Sequence, residues 1–193
     1  MLSTEAPSAA RRLRIMRVPA DTKAVVSLVS SDWVRLVTHF GGVQKSRTFL
    51  CPEVPECDAC TYLSSRPYWY LPCRSNSTGQ MFLLELSSHA SAELEQRCRF
   101  VGSTVRPGIE VEMSRRSKRA PLRIEVVGQA ASSECSPLHE WVSPLMAIFG
   151  FGALRPGETL DQYGARIGGL VLQRANLVAG QLKVAGETRL RSR

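Results

Sequence analysis

Residues 39–60 read HFGGVQKSRTFLCPEVPECDAC, which places one histidine and three cysteines in the pattern H-x11-C-x5-C-x2-C. The residues of this motif are His39, Cys51, Cys57 and Cys60. Zinc favours four nitrogen or sulfur ligands in a tetrahedron, and a C-x2-C turn lets two thiolates reach one ion. One histidine and three cysteines fill that tetrahedron and leave no position for water. The motif therefore predicts a structural zinc site and not a catalytic one.

The identity of the fourth ligand is open between His39 and Cys73. A set of four cysteines that includes Cys73 would satisfy the same ion equally well. Cys73 ends the strand candidate RPYWYLPC, where its side chain can instead point into the core, and we therefore favour His39. A simpler alternative is that the cysteines pack as small hydrophobic residues, but the combined motif is hard to assemble by chance.

The composition favours a polyanionic partner. The chain has 193 residues, with 25 lysines and arginines against 17 acidic residues, a net charge of +8 and a pI near 9.6. A basic excess attracts polyanions without specifying a fold, so nucleic acid is the first expected partner and an anionic membrane surface the second. No secretory signal and no stretch of membrane-spanning length is visible, so we expect a cytoplasmic protein without a membrane segment. In a reducing compartment a tight cysteine cluster indicates metal binding before disulfides.

Short strands are predicted over most of the first two-thirds of the chain. The strand candidates are residues 24–29, 46–50, 66–71, 80–86, 108–114 and 122–127. The stretch 32–40 fits either a helix or a strand, and a helix is predicted over 89–100 behind a cap at Ser87 or Ser88. A helix before the last pair of strands is typical of an OB fold. The sequence therefore predicts a mainly β chain, an OB-like five- or six-stranded barrel with a zinc-binding loop, and appended helices; a β-sandwich is the alternative.

The chain is expected to divide into four parts around this barrel. They are a flexible basic arm over 1–19, the OB-like zinc-containing domain over 20–128, a linker over 129–137, and a helical segment with a basic tail over 138–193. Residues 187–193 of that tail are predicted to be disordered.

A helical stripe in the last part is expected to pack on the barrel or to recruit a protein partner. It comprises Leu160, Tyr163, Ile167, Leu170, Val171, Arg174 and Leu177.

Three consecutive aromatic residues lie between two arginines in the stretch RPYWYLPCR, residues 66–74. On a strand Tyr68 and Tyr70 share one face and Trp69 lies on the other, so one face must belong to the core. We assign Trp69 to the core and the two tyrosines to a surface on which unpaired bases stack, flanked by Arg66 and Arg74.

A second basic element lies between the last two predicted strands. Its cations are Arg115, Arg116, Lys118 and Arg119. In an OB barrel the loop between the fourth and fifth strands flanks the oligonucleotide groove, so this hairpin is expected to contact phosphates. The alternative is a solvated turn without a binding role.

The histidine and three cysteines resemble the zinc site of the single-stranded-DNA-binding proteins of T-even bacteriophages. The resemblance covers about residues 24–127 and implies a zinc subdomain attached to an OB fold, with single strands bound through aromatic and basic residues. Two features depart from that family. The loop between Cys51 and Cys57 is shorter, and the C-terminus carries Arg189, Arg191 and Arg193 where the family has an acidic tail that recruits replication partners.

Two non-catalytic functions are consistent with these features. The first is binding of single-stranded nucleic acid, DNA favoured over RNA, to protect or present strands during replication or recombination. The second is an adaptor subunit of a larger nucleoprotein complex, which holds a protein partner through the zinc loop and the C-terminal helices. Enzymatic functions are disfavoured because the common catalytic motifs are absent and no H-x-E motif accompanies the cysteines.

Overall fold

The computed structural model describes residues 13–43, 45, 47–117, 120–130 and 139–191, with backbone only for 139 and 186–191. Eight strands in this part of the chain belong to one sheet. They are β1 (Ile15–Met16), β2 (Thr22–Leu28), β3 (Val34–Gly41), β4 (Arg47–Leu50), β5 (Ser65–Ser75), β6 (Met81–Ser87), β7 (Ile109–Arg115) and β8 (Arg123–Gln129). The helices are α1 (Ala59–Tyr62), α2 (Ser88–Phe100), α3 (His139–Ile148) and α4 (Leu160–Arg191).

The long strand β5 organises the sheet. One of its edges pairs antiparallel with β6, which in turn pairs in parallel with β1. The other edge is divided, because residues 65–70 pair with β3 and residues 73–75 pair with β2. Pro72 lies at this division, where its missing amide hydrogen costs no ladder bond, and its carbonyl accepts a hydrogen bond from the Val29 amide at 3.1 Å. The sheet then continues from β2 to β7 and β8, and from β3 to β4.

The sheet is open, which corrects the prediction of a five- or six-stranded barrel. Among the described strands, β1, β4 and β8 each pair on one side only. Closure would require β8 to pair with β6, but β1 occupies that edge of β6 and α2 packs against both β8 and β6. The broader prediction, a mainly β chain followed by C-terminal helices, is confirmed.

Most predicted elements lie where the sequence places them. The ambiguous stretch 32–40 contributes the strand β3, and α2 begins behind Ser87, whose hydroxyl accepts a hydrogen bond from the Ala90 amide at 3.4 Å. Two boundaries differ from the prediction. Within the predicted flexible arm 1–19, β1 pairs with β6 and Val18 is buried, and within the predicted tail 187–193 the helix α4 continues to Arg191. Residues 131–137 of the predicted linker lie outside the described residues.

Two sides of the sheet are buried by different helices. The main core lies under α2 and includes Leu71, Cys73, Leu84 and Leu94. On the other side α3 covers a second cluster, and α4 lies against β4 and α1. Among the residues that the structure describes, no helix has both the length and the apolar composition that crossing a bilayer requires.

The aromatic strand corrects the predicted assignment of Tyr70. Its side chain is 0% exposed, its hydroxyl donates to a Glu85 carboxylate oxygen at 3.1 Å, and its ring meets the edge of Phe149 at 6.1 Å. Burial raises the pKa of Tyr70. Trp69 is only half-buried, and the Arg35 guanidinium lies 6.0 Å from its ring centre. Tyr70 is thus a core residue and not a base-stacking residue, because α3 covers its face of the strand.

We expect Tyr70→Ala to lower the free energy of unfolding by about 3–5 kcal/mol, because it empties a fully enclosed site. Chemical denaturation followed by circular dichroism measures this change. Tyr62→Ala is the matched control, since Tyr62 is exposed and its removal should change the free energy by less than about 1 kcal/mol. Equal effects of the two substitutions would contradict the assignment of Tyr70 to the core.

Candidate metal centre

A β-hairpin brings the first two candidate ligands to one face of the sheet. In the pairing of β3 with β4, His39 lies opposite Phe49, and the Cys51 amide donates to the Val37 carbonyl oxygen at 2.8 Å. His39 and Cys51 are therefore diagonal neighbours on the same face. His39 is fully buried there, and its ring packs 5.3 Å from that of Phe49.

A short turn after β4 supplies the other two ligands. The Cys57 amide donates to the Val54 carbonyl oxygen at 3.1 Å, and the Cys60 amide donates to the Cys57 carbonyl oxygen at 3.0 Å. The C-x2-C segment thus closes into a tight turn at the start of α1, with Cys57 buried and Cys60 exposed. Both thiols point back toward the hairpin.

The four ligand atoms form a compact cluster in which all lie within 4.8 Å of one another. The Cys51 sulfur lies 3.9 Å from that of Cys57 and 3.7 Å from that of Cys60, and the His39 Nε2 atom lies 3.7 Å from both of these latter sulfurs. A tetrahedral zinc ion requires sulfur–sulfur separations of roughly 3.8 Å and sulfur–nitrogen separations of roughly 3.6 Å. The donor set and its spacing therefore fit a single tetrahedral metal ion.

The surroundings of the cluster prepare it for a cation. Burial raises the pKa of Cys51 to about 12 and also raises that of Cys57, so buried thiolates need a positive charge beside them. The Glu53 amide lies 3.4 Å from the Cys51 sulfur, to which it donates. On the far side of the imidazole, the His39 Nδ1 atom lies 3.4 Å from the Ser64 carbonyl oxygen, which would hold Nε2 toward a metal.

The structure separates Cys73 from this cluster. Cys73 lies in the main core, fully buried, where its thiol donates to the Leu71 carbonyl oxygen at 3.4 Å. Burial raises the pKa of Cys73. The grouping of His39 with the three cysteines is therefore the one that the fold brings together.

Two contacts that the sequence did not indicate hold the cysteine loop in place. Asn176 of α4 accepts a hydrogen bond from the Asp58 amide at 2.9 Å and donates one to the Glu56 carbonyl oxygen at 3.1 Å. Its side chain therefore fixes the backbone on both sides of Cys57. Arg35 of β3 donates to both carboxylate oxygens of Glu53 at 2.8 Å. Asn176 is 118 residues from Asp58 in sequence, and no local motif connects them.

Comparisons with known proteins give no relative. No known protein family, curated protein or solved structure matches this chain.

A groove of about 490 Å³ lies on the opposite side of β3 from the cluster of His39 and the three cysteines. Three residues predicted to bind nucleic acid line it: Arg66, Tyr68 and Arg115. Phe40 and Arg17, which the sequence reasoning did not select, line it as well. The sequence could have indicated Phe40 as a groove residue, because neighbouring side chains on a strand point to opposite faces and Phe40 therefore points away from the side of His39.

The other predicted contact residues do not join this groove. Arg74 lies eight residues beyond Arg66 on β5, about 26 Å along the strand, so the two do not form one patch. Tyr70 is buried, and Arg116 is exposed in the turn after β7 without lining the groove. Lys118 and Arg119 lie outside the described residues.

We expect one equivalent of zinc per chain, lost in His39→Ala and retained in Cys73→Ala. Of these two candidates for the fourth ligand, His39 lies with the three cysteines and Cys73 does not. Elemental analysis of the purified proteins measures the metal directly. Cys73→Ala is the informative control, since it removes a buried thiol of the competing four-cysteine set. Zinc retained in His39→Ala but absent from Cys73→Ala would reverse the assignment of the fourth ligand.

We expect Asn176→Ala to weaken zinc binding on the order of tenfold, because the cysteine turn loses both hydrogen bonds that fix it to α4. Competition with a chromogenic chelator gives the relative affinity. Gln173→Ala, an exposed position one turn earlier on the same helix, is the control and should leave the affinity unchanged. If both variants behave like the parent protein, α4 does not support the metal site.

Proposed function

We propose that this protein binds single-stranded nucleic acid, with DNA favoured over RNA, in the groove beside a structural zinc centre. The observation that carries the proposal is that cations and aromatic rings from separate parts of the chain converge on one groove. Its lining includes Arg17, Arg66, Arg115, Phe40 and Tyr68.

The charge of the groove suits a phosphate backbone. Among the described lining residues the one acidic side chain, Glu85, accepts two hydrogen bonds from Arg17, at 2.6 and 2.9 Å, so its charge is compensated. Arg66 and Arg115 then leave the groove with a positive excess. The Nε atom of Arg115 is buried and has no hydrogen-bond partner among the described residues, and an acceptor on a bound strand would satisfy it.

Two aromatic residues supply surfaces for unpaired bases. Phe40 is 67% exposed on β3, and Tyr68 is half-buried on the neighbouring strand β5. Base stacking on an exposed ring contributes about 1–3 kcal/mol per base and tolerates any sequence. Duplex DNA buries its bases against one another, so rings of this kind favour single strands.

The order of the strands in the sheet supports a relation to the OB fold, a fold that binds oligonucleotides. If β2 and β3 are taken as one bent first strand, the order β6-β5-β2/β3-β7-β8 reads 3-2-1-4-5. That order is the one of an OB barrel opened between its third and fifth strands, and α2 follows the third strand as in that fold. The lining of the groove includes the second and third of these strands, β5 and β6, and OB folds bind oligonucleotides on the face of those two strands.

Zinc is the ion that the donor set favours. Three thiolates and one imidazole are soft to borderline ligands in a tetrahedral arrangement, which suits zinc and leaves no coordination position for a substrate. A bound ion would supply folding free energy to the hairpin and to the cysteine loop. We therefore assign the metal a structural role and propose no catalytic activity.

An adaptor function is the second candidate, and one observation favours it. The helix α4 exposes Leu177 and Val184, which leaves an aliphatic surface next to the metal-binding hairpin. Such a surface can hold a protein partner whether or not the groove binds nucleic acid.

Competition binding tests the proposal, with labelled single-stranded DNA displaced by unlabelled single-stranded DNA, duplex DNA and RNA of equal length. We expect single-stranded DNA to compete best and binding to fall steeply with salt, because phosphate contacts release counterions. Tighter binding of the duplex, or no binding to any of the three, would remove single-strand binding as the function.

Arg66→Ala with Arg115→Ala should lower the slope of log K against log salt by about 1.4, if each arginine contacts one phosphate. Phe40→Ala should weaken binding on the order of tenfold through loss of one stacked base. Arg74→Ala is the matched control, because it removes an arginine from the same strand outside the groove. Circular dichroism checks that each variant is folded, and a slope unchanged in the double variant would exclude the groove as the binding site.

A further inference from the structure

The helix α4 has two apolar sides, whereas the sequence pattern indicated one. The residues that face the sheet are buried: Tyr163, Ile167, Val171, Ala175 and Val178. Leu170, Leu177 and Val184 are exposed and follow one another at intervals of seven residues, which places them on a common side of the helix. The predicted stripe is thus divided: Tyr163, Ile167 and Val171 are buried, whereas Leu170 and Leu177 are exposed.

Leu177 and Val184, each 64% exposed, form one wall of an open groove of about 1020 Å³. The other wall contains the exposed Val43 and Lys45, which lie between β3 and β4, and Arg47, the first residue of β4. Among the described residues that line the groove, both charged side chains are cations and none is acidic. The groove thus has an aliphatic wall formed by Leu177 and Val184 and a positive rim formed by Lys45 and Arg47.

We infer that this groove binds an acidic amphipathic segment of a protein partner. Leu177 and Val184 are two helical turns apart, about 10.5 Å, which matches the spacing of apolar anchors at positions i and i+7 on a partner helix. Carboxylates on the polar side of that helix would meet Lys45 and Arg47, and such complementarity fixes the orientation of the partner.

Two other occupants fit the groove less well. A second copy of the chain would bring two cationic rims into one two-fold interface, where like charges oppose association. A nucleic acid would find phosphate partners in Lys45 and Arg47, but the described lining contains no aromatic ring on which a base could stack. The aliphatic character of the wall therefore favours a protein side chain.

The acidic partner segment gives the adaptor function, the second candidate above, a specific ligand and rests on that candidate, while it is independent of nucleic-acid binding. This groove shares no lining residue with the one that contains Arg66 and Phe40. A partner could therefore be held while a single strand is bound.

Three fluorescein-labelled helical peptides of about 18 residues test the inference on the full-length, zinc-loaded protein. The first carries leucines at heptad spacing and glutamates on its polar side. The second keeps the leucines but replaces the glutamates by lysines, and the third keeps the glutamates but replaces the leucines by serines. Fluorescence anisotropy should show micromolar binding of the first peptide and at least about tenfold weaker binding of the other two, as expected for a small interface.

Substitutions on the protein locate the binding. Leu177→Ser and Val184→Ser should each weaken binding of the first peptide on the order of tenfold, and both positions are exposed enough to leave the fold intact. Lys45→Glu combined with Arg47→Glu should weaken it further in low salt. Phe100→Ser removes an exposed apolar residue of α2, away from the groove, and should change nothing.

Several results would overturn the inference. One is failure of the first peptide to bind at about 1 mM, and another is equal binding of that peptide to Leu177→Ser. Sedimentation could show that the protein is a dimer that Leu177→Ser converts to a monomer, which would make a second copy the occupant. Weaker binding of single-stranded DNA to Leu177→Ser, without peptide binding, would assign the groove to nucleic acid.

Discussion

The divided edge of β5 is the constraint on which the rest of the structure depends. One continuous strand pairs with β3 along residues 65–70 and with β2 along residues 73–75, and Pro72 lies where the partner changes. Because side chains alternate along a strand, this single element sends Leu71 and Cys73 into the core under α2 and Tyr70 into the cluster under α3. It also places the outer residues Arg66 and Tyr68 beside the metal-binding hairpin.

The strand β3 connects the cluster of candidate metal ligands to the proposed nucleic-acid groove. His39 is a candidate ligand on one face, while its neighbours Thr38 and Phe40 line the groove on the other. Ser64 contributes to both, since its carbonyl oxygen lies beside the His39 ring and the residue also lines the groove. A metal ion that fixes the hairpin would therefore also fix a wall of the groove, without itself touching the bound strand.

The helix α4 packs against the candidate metal site and presents a surface of its own. Its buried side packs on Phe49 and Cys57, and Asn176 binds the backbone on both sides of Cys57. Arg174 of α4 donates hydrogen bonds to the carbonyl oxygens of Phe149 and Gly150, which connect the helix to the segment after α3. The remaining side is aliphatic and exposed, so the helix that stabilises the cysteine loop also offers a place for a partner.

The sequence by itself determined the candidate ligands, most strand positions and the capped helix α2, because each depends on residues close together in the chain. The spacing of Cys51, Cys57 and Cys60 and the cap at Ser87 are local properties of this kind. Only the tertiary structure decided that His39 and not Cys73 joins the cluster, that α3 covers Tyr70, and that the sheet is open. Alternation on a strand defines two faces without saying which one a distant helix will cover, and sheet closure depends on which strand occupies a free edge. These outcomes are set by contacts between residues far apart in sequence, which no local pattern encodes.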